Sequence, residues 1–269
     1  TGCDTILSQM AADILETDLD NVIPFGVDTD ISPYDSGSYA SATTYITGKA
    51  VAKAAENLKE KVIKMGASML EAEPDEVTFN GKCVEKKDQS AKVTLPEIGV
   101  RGTFGNNDAL QVTENCGAEI SPPPYMVGIA EVEIDKETGS VELIDYVAVV
   151  DCGTPINPNL ARVQTEGGIA QGIGMALFED IQYTEKGAMA NNSLMQYKIP
   201  SRLDVGKIRV EFKPSYEKSH PFGAKSIGEI VIDTPCPAIA NAVYNAVGLR
   251  VEEMPIKPEK IAMELLDEK

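Results

Sequence analysis

Gly223-Ala224-Lys225-Ser226-Ile227-Gly228-Glu229 brings a single carboxylate to the end of a loop of small residues, and the apolar run Pro237-Ala238-Ile239-Ala240-Asn241-Ala242-Val243-Tyr244 follows it. Beside a helix with almost no polar face, the Glu229 carboxylate is expected to be poorly solvated. That moves a carboxylate pKa up toward the range useful to a general base. Small neighbours also let a bulky ligand approach the backbone. The same residues equally suit a surface loop whose glutamate does no more than cap the next helix. Local physics alone leaves the two readings evenly matched.

Three other segments have the residue types for chemistry. Thr1-Gly2-Cys3-Asp4-Thr5 opens an apolar-periodic stretch, where free N–H groups and the helix dipole suit a phosphate or pyrophosphate. A plain capped helix, with Asp4 or Thr5 as the cap, explains it more simply. Ser38-Tyr39-Ala40-Ser41-Ala42-Thr43-Thr44 carries hydroxyl groups with little bulk, able to donate to the polar edge of a ligand or a phosphate, or simply to turn the chain into the next helix. Gln164-Thr165-Glu166-Gly167-Gly168-Ile169-Ala170-Gln171-Gly172-Ile173-Gly174 is glycine-rich inside a helical pattern, at roughly 1 kcal/mol per glycine relative to alanine. Close helix packing accounts for it as well as a cofactor against the backbone does. The glycines do not follow a strand in a tight turn, so this is no nucleotide fingerprint.

Composition narrows the function classes. The 269 residues carry 24 Lys+Arg against 42 Asp+Glu, a net charge of −18, which argues against a nucleic-acid partner. No apolar run is long enough for a membrane span and no basic-then-apolar leader opens the chain, so no membrane partner and a cytoplasmic location are expected. The start Thr1-Gly2-Cys3, without Met, predicts a processed or truncated beginning. Cys3, Cys83, Cys116, Cys152 and Cys236 are scattered with no CxxC pair, which points to free thiols rather than a zinc or iron–sulfur site. The single His220 makes a histidine metal site or a catalytic triad improbable. A transition metal working here would need ligands from something other than this protein.

These segments must be positioned by regular elements. Periodicity predicts a helix over 4–15, a strand near Val22–Val27, and a long helix over roughly 48–70 with Val51, Ala54, Leu58, Val62, Met65 and Met69 on one stripe. Asn80-Gly81 marks a hairpin. Residues 91–124 read as irregular, and a domain boundary there divides the chain into 1–115 and 116–269. The second half opens with a hairpin of 125–135 and 140–150. A helix follows over 160–178, then a further hairpin about Lys186-Gly187, a strand over 207–212, and helices near 237–247 and 258–266, each with Pro at its entry. Strands arriving in hairpins favour an α+β fold, with mixed or antiparallel sheets, helices packed on one face, and two two-layer subdomains.

The ordered set of motifs resembles the C-terminal part of the molybdenum-binding subunit of the molybdenum hydroxylases, the xanthine dehydrogenase and aldehyde oxidase family. Along nearly the whole chain these are Thr1-Gly2-x-Asp4-Thr5, Gly37-Ser38-Tyr39-Ala40-Ser41, Gly128-Ile129-Ala130-Glu131-Val132-Glu133-Ile134-Asp135, and Asp151-Cys152-Gly153-Thr154-x-Ile156-Asn157-Pro158. Then come Gln164-x-Glu166-Gly167-Gly168-x-x-Gln171-Gly172-x-Gly174, Tyr197-Lys198-Ile199-Pro200, the Gly223–Glu229 loop and Ala238-Ile239-Ala240-Asn241-Ala242.

The resemblance implies a molybdopterin cofactor, in bacteria often as the cytosine dinucleotide, whose dithiolene holds the metal, so no protein metal ligand is expected. It implies that Glu229 is the general base for hydroxylating an electron-poor carbon, in an N-heterocycle of the purine or nicotinate type or in an aldehyde, with oxygen from water. Tyr39, Ala40, Ser41 and Thr43 match the segment beside the metal and pterin, Gln164 a glutamine near the cofactor, and Lys225, Ser226, Ile227 and Gly228 the pterin-side loop. Thr1, Gly2, Asp4 and Thr5 match a cofactor element at a helix start, although Thr1 stands where many relatives have Gln. Ile230 likewise replaces a proline that often follows the glutamate. The family's remaining parts, namely the N-terminal half of this subunit, the iron–sulfur clusters and the FAD, are expected on partner chains or domains, and activity only in their company. A non-catalytic scaffold or chaperone for the cofactor is the alternative, and an unrelated acidic interaction domain a third reading.

Overall fold

A computed structural model describes residues 2–26, 28–105, 109–117 and 119–267. The chain forms two compact units, one of Gly2–Ser121 with Lys218–Ala224 and the other of Pro122–Glu217 with residues 225–267. The architecture is α+β, with one three-stranded sheet in each unit.

In the first unit, α1 (Cys3–Ile14) starts at Gly2, whose φ of 76° is left-handed. Gly2, rather than Asp4 or Thr5, occupies the cap position, and no side chain caps this end. Helix α2 (Gly48–Met69) forms where the periodicity places it, but its buried side chains Ala52, Ala55, Val62 and Ala67 share only Val62 with the predicted stripe, and Met69 is exposed. It packs on α1 where Gly48 lacks a side chain, since a Cβ there would lie 2.9 Å from Met10 Sδ. Strands β1 (Val77–Phe79), β2 (Cys83–Lys86) and β3 (Lys92–Thr94) form an antiparallel meander. Val62, Ala67, Val77, Val84, Val93 and Ile98 make the core between it and the helices.

Two further expectations fail in this unit. Residues 22–26 form no strand, and Val27 lies outside the described residues. Ile23 is 87% exposed, so the β-prone side chains there have no sheet to join. Residues 91–124 are not irregular throughout, because β3 and α3 (Leu95–Phe104) occupy their first part. Helix α3 is nucleated by a reciprocal Thr94–Glu97 capping box with Pro96 in its first turn.

In the second unit, β4 (Tyr125–Ile134) pairs antiparallel with β5 (Val141–Asp151), with a register shift at Glu131/Val132. Strand β6 (Lys207–Phe212) runs parallel to β5, giving the order β4-β5-β6. Helix α4 (Pro158–Leu177) begins at Asn157, whose side chain accepts from Leu160 N at 3.1 Å. Its Ile169 and Ile173 join Leu143, Tyr146, Val150, Ile239 and Val243 in the core. Helix α6 (Pro235–Val247) lies across β4 and ends at the left-handed Gly248, and α7 (Pro258–Asp267) closes the chain. The helices cover one face of the sheet, and Tyr125, Val127 and Ile129 are exposed on the other. The hairpin expected at Lys186-Gly187 reduces to a single bridge, Tyr183 to Met189.

Candidate functional site

The loop that carries Glu229 is fixed on both sides. Downstream, Glu229 is the N-cap of a one-turn helix, α5 (Ile230–Asp233), which separates it from α6. Val231 on that turn is fully buried, and the glycines of α4 make the room. A Cβ on Gly168 would lie 2.2 Å from Val231 Cγ2, and one on Gly172 would lie 2.6 Å from Pro235 Cγ and 2.9 Å from Ile232 O. A Cβ on Gly174 would lie 2.1 Å from Glu179 Oε1. Close packing therefore explains three of the four glycines. Gly167 differs, because nothing lies within 4 Å of its missing Cβ.

Upstream, Lys225 is the anchor. Its ammonium lies 3.0 Å from Asp151 Oδ2 and over the Tyr125 ring at 5.3 Å, and its backbone N–H donates to Cys152 O at 2.7 Å. Asp151 Oδ1 accepts from Gly153 N at 2.9 Å, Ser215 N at 3.2 Å and Ser215 Oγ at 2.9 Å. Burial pushes the Asp151 pKa up, but these hydrogen bonds and the Lys225 ion pair outweigh it and hold the carboxyl down at about 2. Burial pushes the neighbouring Cys152 thiol up to about 11, so it packs as a small apolar group rather than a nucleophile.

Glu229 itself is exposed. The carboxylate does not lie directly against the apolar run, because α5 and Thr234 intervene before α6 starts at Pro235. The plainer reading also fails, since the Glu229 side chain makes no capping bond to α5. Gln164 lies on α4, half-buried, three residues before Gly167. Thus Gln164, Lys225, Ser226, Ile227, Gly228 and Glu229 belong to the second unit.

The first unit holds the other predicted residues, except Thr1, which lies outside the described residues. Asp4 and Thr5 are exposed in the uncapped first turn of α1. Tyr39, Ala40 and Ser41 form a tight turn in which Ala40 (φ 49°) and Ser41 (φ 56°) are both left-handed, a conformation that side chains disfavour. Tyr39 is 75% exposed at that turn. The Ser38 and Thr43 hydroxyls are bonded to each other. A π-helical turn, Thr43–Thr47, then leads into α2, and such turns concentrate at functional sites.

His220 is the residue whose part in this arrangement no local pattern revealed. It is buried, and its Nδ1 accepts from Phe222 N at 3.1 Å and Ala224 N at 3.4 Å. The remaining nitrogen, Nε2, therefore carries the proton and donates to Thr44 O at 3.2 Å. With Tyr45 Oη bonded to Ser219 Oγ at 2.6 Å, the Lys218–Ala224 segment clamps the π-helical turn beside Tyr39–Thr43. The partners are 176 residues apart in sequence.

A chain with uncapped N–H groups at one helix start, a strained hydroxyl-rich turn and an anchored carboxylate loop has the parts of a cofactor-binding domain. Residues 1–206 match the family described as the molybdopterin cofactor-binding domain, and the chain belongs to it. It is 36% identical over 265 residues to a probable hypoxanthine oxidase, XdhD, of Escherichia coli K12, covering 97% of this chain and 27% of that protein. It is 32% identical over 270 residues to the 6-hydroxypseudooxynicotine dehydrogenase complex subunit gamma of Paenarthrobacter nicotinovorans, covering 97% of this chain and 34% of that subunit. Among solved structures, quinoline 2-oxidoreductase from Pseudomonas putida 86 superposes with a TM-score of 0.81 at 28% identity, over 99% of this chain and 35% of its own. The Cu,Mo-CO dehydrogenase superposes at 0.82 with 25% identity, over 99% of this chain and 34% of its own. The chain thus spans about a third or less of these relatives.

The residues present fit the cofactor. The first turn of α1 offers N–H groups that no side chain caps, and Gly167 leaves its helix backbone open. Among the described residues, no helix is long and apolar enough to cross a membrane.

Proposed function

We propose that this chain is the cofactor-binding part of a molybdenum hydroxylase acting on an N-heterocycle, with Glu229 as its general base. The observation that carries the proposal is a carboxylate at the end of a loop of small residues that is held at both ends, by Lys225–Asp151 and by Val231 against Gly168. Relatives named for hypoxanthine, nicotine and quinoline favour an N-heterocycle over an aldehyde.

When bound, molybdopterin supplies the metal at which a carbon is oxidised with water-derived oxygen. The chain's part is to bind, orient and move a proton. In the first unit, the α1 first turn and the hydroxyls around Tyr39–Thr43 would donate to the cofactor, and Tyr39 would offer a ring face to a planar substrate; in the second, Gln164 and the backbone of Ser226–Gly228 would be its contacts. Glu229 Oε accepts the proton released as the oxygen nucleophile forms. Its solvation must be stripped by groups from the rest of the subunit, because this chain leaves it exposed. The cytosine dinucleotide form of the cofactor, partner iron–sulfur and flavin centres, the N-terminal half of the subunit and a cytoplasmic setting complete the reading.

Glu229→Gln in the assembled enzyme should keep its molybdenum content and lose turnover ~10²–10⁴-fold, the usual span of general-base catalysis. Near-normal turnover in that variant refutes the assignment. A wild-type complex that carries the cofactor but turns over no heterocycle is instead a scaffold.

A further inference from the structure

The resemblance places Lys225 among the cofactor contacts, yet its ammonium is committed elsewhere. It sits almost buried between Asp151 Oδ2 at 3.0 Å and the Tyr125 ring at 5.3 Å, its side chain 9% exposed. Asp151, the last residue of β5, is opposite Tyr125, the first of β4, in the antiparallel register. Its other oxygen gathers the N–H of Gly153 and both the N–H and hydroxyl of Ser215, three residues beyond β6. One carboxylate thus ties the ends of the sheet strands to the root of the loop that ends in Glu229.

We propose that the Asp151–Lys225 pair is a latch that positions the Glu229 loop, with Lys225 a positioning residue rather than a charged ligand of the cofactor. The inference rests on Glu229 being the base. Only Ser226, Ile227 and Gly228 separate the latch from Glu229, and α5 is seated immediately after it against Gly168 and Gly172. The loop is a short span pinned at two points, so its carboxylate has little room to wander. Removing one pin leaves the α5 side intact and frees the other. An ångström of displacement at a catalytic group can cost ~10²-fold in rate. With its pKa held down at about 2, the Asp151 carboxylate stays ionised across the neutral and mildly acid range, so its side of the latch does not open there.

The test compares Asp151→Asn, Lys225→Met, the double variant, Lys225→Arg and Glu229→Gln in the complete molybdenum enzyme. Readouts are kcat and KM, molybdenum content, and hydrogen exchange at amides 226–230. A latch predicts that Asp151→Asn and Lys225→Met each lower kcat ~10–100-fold with molybdenum retained. It also predicts that the double variant loses little more than either single one, and that exchange at 226–230 speeds up while α4 stays protected. Lys225→Arg, which can still pair with Asp151, should recover most of the rate. If Lys225→Met sheds the cofactor while Asp151→Asn keeps it and the wild-type rate, Lys225 is a direct ligand and the latch is wrong. If exchange at 226–230 is unchanged in both single variants, the latch is equally wrong. Failure of the underlying reading looks different: Glu229→Gln then turns over normally, whatever the latch variants do. The exchange result also judges the latch independently of turnover.

Discussion

Two adjacent glycines of α4 should respond to alanine with opposite signs. At Gly168 the new methyl would lie 2.2 Å from Val231 Cγ2 and 3.1 Å from Val231 Cβ, against an ordinary carbon contact of roughly 3.5–4.0 Å. Val231 is fully buried and β-branched, so it has no spare rotamer into which to retreat. Overpacking of this kind costs about 1–3 kcal/mol, and alanine returns about 1 kcal/mol of helix propensity. With a contact as close as 2.2 Å the overpacking falls in the upper part of that range, about 2–3 kcal/mol, so the net loss for Gly168→Ala is roughly 1–2 kcal/mol. At Gly167 nothing lies within 4 Å, only the propensity acts, and Gly167→Ala should gain up to ~1 kcal/mol. Urea unfolding of the two variants, followed by helical circular dichroism, measures the gap directly. Gly168→Ala matching or exceeding the wild type would show that α5 does not rest on α4 as described. Gly167→Ala falling below Gly168→Ala would contradict the packing account altogether. In the holoenzyme, Gly168→Ala should also lower turnover by displacing α5, the turn that directly follows Glu229.

Tyr39→Ala in the assembled enzyme should raise KM for a heterocycle more than for a small aldehyde, and equal effects would reduce Tyr39 to a structural residue. Asp151 has a folded pKa of about 2, below its ordinary 3.8. Its contribution of about 2 kcal/mol is therefore present above pH ~4 and lost as the pH falls toward 2. Asp151→Asn should flatten that part of the stability–pH curve, and an unchanged acid limb would argue against the paired carboxylate. His220→Ala opens a cavity and leaves the N–H groups of Phe222 and Ala224 and the Thr44 carbonyl short of a partner, an expected loss of about 3 kcal/mol in urea titration. A loss below ~1 kcal/mol would mean that the Lys218–Ala224 clamp is dispensable.

Elements with a long, uninterrupted period could be read directly from the residues. The stripe Val51–Met69 announces α2, and the alternation of Tyr125–Ile134 and Val141–Val150 about a tight turn announces the β4–β5 hairpin. Helix α3 hid behind Gly99, Gly102 and Gly105, although Thr94-x-x-Glu97 with Pro96 was a start signal available to be read. Val22–Val27 misled because β-propensity describes how a residue fits a sheet, and residues 22–26 have no neighbouring strand. At the site, the Glu229 loop was visible as a motif, but its exposure was not, since the intervening one-turn helix lacks a period. The glycines of α4 read ambiguously because two causes give one residue type, and only the neighbours at Gly168, Gly172 and Gly174 distinguish them from Gly167. His220 was illegible because its bond to Thr44 spans the chain.

The sheet of the second unit also bears on how this protein behaves in a tube. Among the described residues, β4 pairs with β5 alone, so its outer edge offers backbone groups to whatever meets it. Such an edge is a template for further strands. Two devices guard its far half, the register shift at Glu131/Val132 that twists the strand and the carboxylates of Glu131 and Glu133. The near half, Tyr125 to Ala130, carries exposed Tyr125, Val127 and Ile129 and no charge of its own. What keeps two copies apart there is the mutual repulsion of chains bearing −18. That repulsion is long-ranged in dilute buffer and shrinks to a Debye length of about 8 Å at physiological ionic strength. The colloidal stability of the chain by itself should thus be inverted with respect to salt: light scattering is expected to show single copies when the buffer is weak, and growing self-association along the β4 edge as ions are added.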